Sequence, residues 1–148
     1  MNEVATSPQL WLLRRYLALS LPLHLIWETL QLPLYTLWRT GTAWQKCFAV
    51  IHCTAGDLII AALSLGAALL SERLLPWPRE RLGRIALLAV GFGVAYTIYS
   101  EWVNTTRGAW AYEPFMPVVP PLGTGLFPLL QWLIVPLVAL SAALRRYR

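Results

Sequence analysis

Residues 47–70 read CFAVIHCTAGDLIIAALSLGAALL, and this stretch decides the fold class. From Leu58 onward every side chain in it is apolar or small. A run of about 20 such residues matches the roughly 30 Å hydrocarbon core of a bilayer. In water it would expose more contiguous apolar surface than a monomer tolerates.

Three further runs resemble it, at about 16–38, 85–103 and 122–144. Together they predict an all-α, four-transmembrane-helix bundle occupying all 148 residues as one integral membrane domain. The composition agrees: 57% of the chain is hydrophobic and only 13% charged, against roughly 25% charged in an ordinary soluble domain. Pro22 and Pro33 are expected to kink the first helix, and Pro136 to bend the fourth. Gly91 and Gly93 allow close backbone approach on the third. Thr124 is the expected N-cap of the fourth, with Pro128 in its first turn.

The connections differ in character. Residues 40–46 make a short turn, and residues 71–84 are polar and basic. Residues 104–121 read NTTRGAWAYEPFMPVVPP; the prolines prevent a helix, and the aromatics suit a membrane interface. This loop is expected to lie as an ordered cap on the bundle.

Orientation follows from the basic residues. Arg14, Arg15, Arg73, Arg79, Arg81, Arg84, Arg145, Arg146 and Arg148 fall on one side of the predicted bundle. Arg39, Lys46 and Arg107 fall on the other, which accounts for all 12. The positive-inside rule then places both termini in the cytoplasm and the proline-aromatic loop outside, on the periplasmic face if the membrane is the bacterial plasma (inner) membrane. The first seven residues lack a basic cluster and no small-residue cleavage site follows the first run, so that run is expected to be a retained helix.

Several function classes are disfavoured. The net charge of +5 is gathered at helix ends and forms no basic, aromatic-interleaved stripe, so no nucleic-acid partner is expected. Cys47 and Cys53 form neither a CxxC redox pair nor a zinc motif.

Five ionisable residues nevertheless lie inside the predicted helices: His24, Glu28, His52, Asp57 and Glu101. Each charge at a bilayer centre costs about 2.5–3.5 kcal/mol on insertion scales, so such residues are functional candidates that face the bundle interior. Ser20, His24, Glu28, Gln31 and Tyr35 recur at three- and four-residue spacing and make one polar stripe. Cys53, Asp57 and Ser64 share a face of the second helix, from which His52 points away. Thr97, Glu101 and Asn104 align on the third, and Gln131 is the polar residue of the fourth. Glu28 lies ten residues in from Trp38, and Asp57 ten in from Cys47. The spacing predicts one polar cavity in the outer half, opening outward beneath the loop from Trp110 to Met116.

Three chemistries could use such a cavity. Glu28, Asp57 and Glu101 could act as acids or bases on a lipid-like molecule, with His24, Gln31, His52, Trp110, Tyr112 and Gln131 binding it. His24 and His52 could instead hold a metal or haem, although no second Glu-x-x-His motif accompanies them. The groups could also simply pair and fix helix packing. A non-enzymatic accessory subunit of a larger membrane complex is the remaining alternative, with Gly66, Gly91 and Gly93 on its contact face.

Residues 101–132, EWVNTTRGAWAYEPFMPVVPPLGTGLFPLLQW, resemble membrane carotenoid hydratases of bacterial carotenoid biosynthesis. The matching positions are Glu101, Gly108, Tyr112, Pro128 and Trp132. Small membrane lycopene cyclases are a more distant comparison, and their paired acids are absent because Trp102 follows Glu101. The resemblance implies an isoprenoid-like substrate and cofactor-free acid chemistry with Glu101 as proton donor.

Overall fold

A computed structural model describes residues 8–71 and 82–145. Arg73, Arg79, Arg81, Arg146 and Arg148, which weigh heavily in the orientation argument, lie outside the described residues.

The described residues are all-α apart from one tiny hairpin. The elements are α1 (Pro8–Gln31), a 3₁₀ turn (Leu32–Leu34), α2 (Leu37–Thr40), α3 (Ala43–Ser71), α4 (Leu82–Thr106), β1 (Val118–Val119), β2 (Thr124–Gly125) and α5 (Leu126–Leu144). The four long helices form a square. α1 packs on α3 and α5, α4 packs on the same two, and α1 and α4 stand diagonally. α3, α4 and α5 are each long and apolar enough to cross a membrane, with mean hydropathies of 1.9, 1.6 and 2.0. α1 has 24 residues but carries Arg14, Arg15 and the polar stripe, and it does not reach that apolarity.

The first helix differs from its expected bounds. It begins at Pro8, where a proline costs nothing because a first-turn N–H has no intrahelical partner. It ends at Gln31, because Pro33 cannot continue the hydrogen-bond ladder. Pro33 therefore terminates α1, while Pro22 lies within it. Glu28 is consequently three residues from its helix end, and Asp57 is fourteen residues into α3, so counting along each run misplaced both. The fourth helix starts at Leu126, with Gly125 rather than Thr124 as its N-cap. Pro128 does occupy the first turn, and Pro136 lies inside the helix.

One end of the bundle is closed by small residues. Ala61, Ala68, Ala89, Ala139 and Ala143 are fully buried there, with Leu65 and Leu140 between them. Small side chains let helix backbones approach, which is the main source of packing energy where lipid replaces water. Gly93 sets the tightest contact. A Cβ built on it would stand 2.1 Å from Cε3 of Trp132, whose indole is fully buried. Gly93 therefore belongs to the interior, not to a contact face for a partner, whereas Gly66 and Gly91 have open space beside them.

The other end is capped by two loops tied to each other. The residue 32–42 link pairs with the α4–α5 loop through a β-bridge between Tyr35 and Tyr112. Thr36 N donates to Ala111 O at 3.0 Å, and Glu113 N donates to Leu34 O at 2.9 Å. The Arg39 guanidinium adds a two-pronged ion pair to the buried Glu113 carboxylate, at 2.7 and 2.8 Å. The loop is thus an ordered cap, as its prolines and aromatics predict. β1 pairs with β2 antiparallel, Val118 opposite Gly125, and returns the chain to α5.

Candidate functional site

Every fourth residue of α1 is buried: Leu12, Tyr16, Ser20, His24 and Glu28, followed by Gln31. A four-residue repeat keeps one face toward the interior, so the stripe read from the sequence is the inward face of α1. Tyr35 lies beyond the helix end yet lines the same cavity. Asp57 and Ser64 of α3, Thr97 and Glu101 of α4 and Gln131 of α5 are also buried.

Glu28, Gln31 and Tyr35, with Asp57, Ser64, Thr97, Glu101 and Gln131, line one cavity of about 1040 Å³ at the capped end. Glu28, Asp57 and Glu101 all line it. Among the lining residues there is no lysine or arginine. Its lining includes Trp110 and Ala111 of the α4–α5 loop. Its mouth reaches further down than expected, between α3 and α4, where Ile59 and Phe92 line it.

The deep end is a cross-helix network. Gln131 Nε2 lies 2.9 Å from His24 Nδ1 and 2.8 Å from Asp57 Oδ2. One amide nitrogen carries two hydrogens, so it can donate to both. His24 Nδ1 is then the acceptor and Nε2 carries the proton; Nε2 is buried without a hydrogen-bond partner. His24 Nδ1 is also 3.4 Å from Asp57 Oδ2, and its ring packs 5.4 Å from that of Trp132. Glu28 accepts from Gln31 Nε2 at 2.7 Å, and Trp27 Nε1 fixes Gln31 by donating to its Oε1 at 3.1 Å. Glu28 also reaches Gln131 and Asp57.

The shallow end is organised around Glu101. The Tyr112 hydroxyl donates to Glu101 Oε2, and Trp110 Nε1 approaches the same oxygen at 3.4 Å. Tyr35 is a third partner. Tyr112 is itself positioned by Gly125, whose N–H donates to its hydroxyl at 3.0 Å. Gly125 has no room for a side chain, since a Cβ would lie 2.8 Å from Met116 Cε and 3.3 Å from Tyr112 Cε1. Burial, followed by the bond to Glu101, pushes the Tyr112 phenol well above its usual range. Tyr35 is pushed up in the same direction, first by burial and then by Glu101. Both phenols therefore keep their protons at neutral pH and remain donors.

The structure brings Glu28, Asp57, His24, Gln31 and Gln131 into one network, and Glu101, Trp110 and Tyr112 into a second on the same cavity. His52 stands apart. It borders the cavity but is exposed, with its ring stacked on Phe48 at 5.5 Å. Among the described residues no three or more His, Cys, Asp or Glu side chains are grouped to hold a metal ion. Cys47 and Cys53 are free, and Cys53 lines the cavity. Tyr96, Tyr99 and Trp102 form an exposed aromatic row on α4, suited to an interface, whereas Trp132 is internal packing.

Two residues escaped the sequence reading of the site. Tyr35 was visible as the end of the stripe but not as a partner of Glu101. Glu113 was not singled out at all. The usable signal was charge: Arg39 is the only cation of its link and Glu113 the only acid of the facing loop. No family model matches the chain, and no curated protein or solved structure matches it.

Proposed function

We propose that this chain is a four-span membrane protein, N-in and C-in, whose outward-side cavity binds or modifies a lipid-like molecule through Glu28 and Asp57. Glu101, held by Tyr112 and Trp110, guards the outer end. One observation carries the reading: three carboxyl groups converge on a single large cavity inside an otherwise apolar bundle. Hydrogen bonds between membrane helices average only about 0.6 kcal/mol, so packing alone is a poor reason to retain three acids there. A cavity of this size is at the upper end of those that enclose small ligands. Glu28, bonded to Gln31, and Asp57, bonded to Gln131, are two oriented carboxyl groups suited to acid–base chemistry. The resemblance to carotenoid hydratases makes an isoprenoid-like molecule one candidate.

Mass spectrometry of the gently purified protein tests this. The wild type is expected to carry lipid, and a folded Glu28→Gln variant to lose most of it. Wild-type lipid content in that variant would remove Glu28 from the site. A stoichiometric protein partner without lipid would favour an accessory subunit instead.

A further inference from the structure

The cavity wall changes character along its length. Its deep side is the network of Glu28, Asp57 and Gln131. Its α3–α4 side is largely apolar, and there residues that line the cavity also lie on the protein surface: Phe48 and His52 toward the cap, and Ile59, Leu63, Phe92 and Tyr96 further down. Ile59 and Leu63 of α3 are 61% and 69% exposed, and Phe92 and Tyr96 of α4 are 43% and 49% exposed. A residue with both properties marks a mouth. Ile59 and Leu63, like Phe92 and Tyr96, are four residues apart and so share a face of their helix, which puts the two pairs on the two sides of the opening.

The position of this mouth decides what it faces. Ile59 is sixteen residues from the start of α3 and twelve from its end, and Phe92 is ten and fourteen from the ends of α4. Both helices have membrane-crossing length and apolarity. An opening at mid-helix between two such segments meets acyl chains, not water. A lipid chain lying alongside this part of the opening is already in place.

Charge decides which end of that lipid can reach the interior. The lining carries three carboxyl groups and neither lysine nor arginine. Of the cations at that end, Arg39 is paired with Glu113 and Lys46 lies over the Trp38 ring. A phosphate or carboxylate would find acids and no lysine or arginine to neutralise it. An alcohol or amine would instead offer the hydrogen-bond donor that carboxylate oxygens need.

We infer that the cavity is loaded sideways from the bilayer, between α3 and α4, by a lipid whose polar end is a non-anionic hydrogen-bond donor. This deepens the lipid-binding reading and rests on it. The test uses the full chain in mild detergent and three probes of one chain length: hexadecanol, hexadecylamine and hexadecyl phosphate. Native mass spectrometry reads the amount of each retained. Hexadecanol or hexadecylamine is expected to be retained at least ten-fold above hexadecyl phosphate, and which of the two leads identifies the polar end. Leu63→Trp, which fills the mouth, is expected to cut retention ten-fold. Leu87→Trp, at a 73% exposed α4 position away from the cavity, is expected to leave it unchanged. Equal or greater retention of the phosphate overturns the head-group assignment. Unchanged retention in folded Leu63→Trp overturns the lateral route. Retention of none of the probes by the wild type overturns lipid binding itself, a result distinct from either of these.

Discussion

The two halves of the bundle are built from the same four helices in opposite ways. In the half away from the cap, alanines meet alanines and the helices close on one another. In the capped half, the inward positions hold His24, Glu28, Asp57, Thr97 and Gln131, and the helices stand around a cavity. Small residues let backbones touch, and longer polar ones hold them apart. A cavity so made has lost the helix contacts that would otherwise fix its shape. The capped half replaces them with hydrogen bonds between helices and with two loops tied by Arg39 and Glu113. Stability thus belongs mainly to one half, and the candidate chemistry to the other.

The largest effect is expected where the halves meet. Gly93 lies against Trp132, and Trp132 lies against His24. Even one methyl group on Gly93 would overlap the indole, and overpacking of this kind costs about 1–3 kcal/mol, occasionally more. Gly93→Ala is expected to lose about 3 kcal/mol or to fail to fold, read as thermal unfolding in detergent. Gly91→Ala, two residues away with open space beside it, is expected to match the wild type. If the two variants behave alike, the close contact does not divide the halves as described.

A smaller effect is expected at the cap. Removing Arg39 leaves the buried Glu113 carboxylate without its ion partner but leaves every helix contact in place. Arg39→Ala is expected to speed hydrogen exchange at the Thr36 and Glu113 amides, which bridge the two loops, and not at α5 amides around Ala139. In a Glu113→Gln background the same substitution should add little, because its partner charge is already gone. Uniformly faster exchange would mean that the cap and the opposite half unfold together.

How much of this could be read from the chain depended on which interactions were local. The stripe from Ser20 to Gln31 was legible because a helix converts spacing into direction, and its residues are the inward face of α1. Asp57 and Glu101 were legible because an acid inside an apolar run is costly unless it faces a polar interior. The role of Gln131 was only half visible: its polarity stood out, but not that it would join His24 to Asp57 across two helix interfaces. The end of α1 is not legible in this way, because a proline such as Pro33 can either kink a helix or end it, and the 3₁₀ turn that follows leaves no trace in hydropathy. The Arg39–Glu113 tie spans 74 positions, and no periodicity encodes it.

The subtlest test of the contrast lies at Tyr112, where the cap meets the cavity. Its hydroxyl donates to Glu101 and accepts from Gly125 N. Tyr112→Phe removes both bonds while keeping the ring, and a hydrogen bond of this kind contributes about 1 kcal/mol. The variant is expected to melt slightly earlier at neutral pH. The sign of the pH effect follows from the direction of the shift. The folded phenol holds its proton above the ordinary value of 10.0, because burial and then the Glu101 bond disfavour phenolate. Its contribution is therefore fully present below the unfolded value near 10 and declines as pH rises toward the folded one. Above pH 10 the wild type is expected to lose stability more steeply than Tyr112→Phe, so their unfolding temperatures converge. Parallel pH profiles would mean that Tyr112 is not held neutral by Glu101, and that the cap covers the cavity without being bonded to its acids.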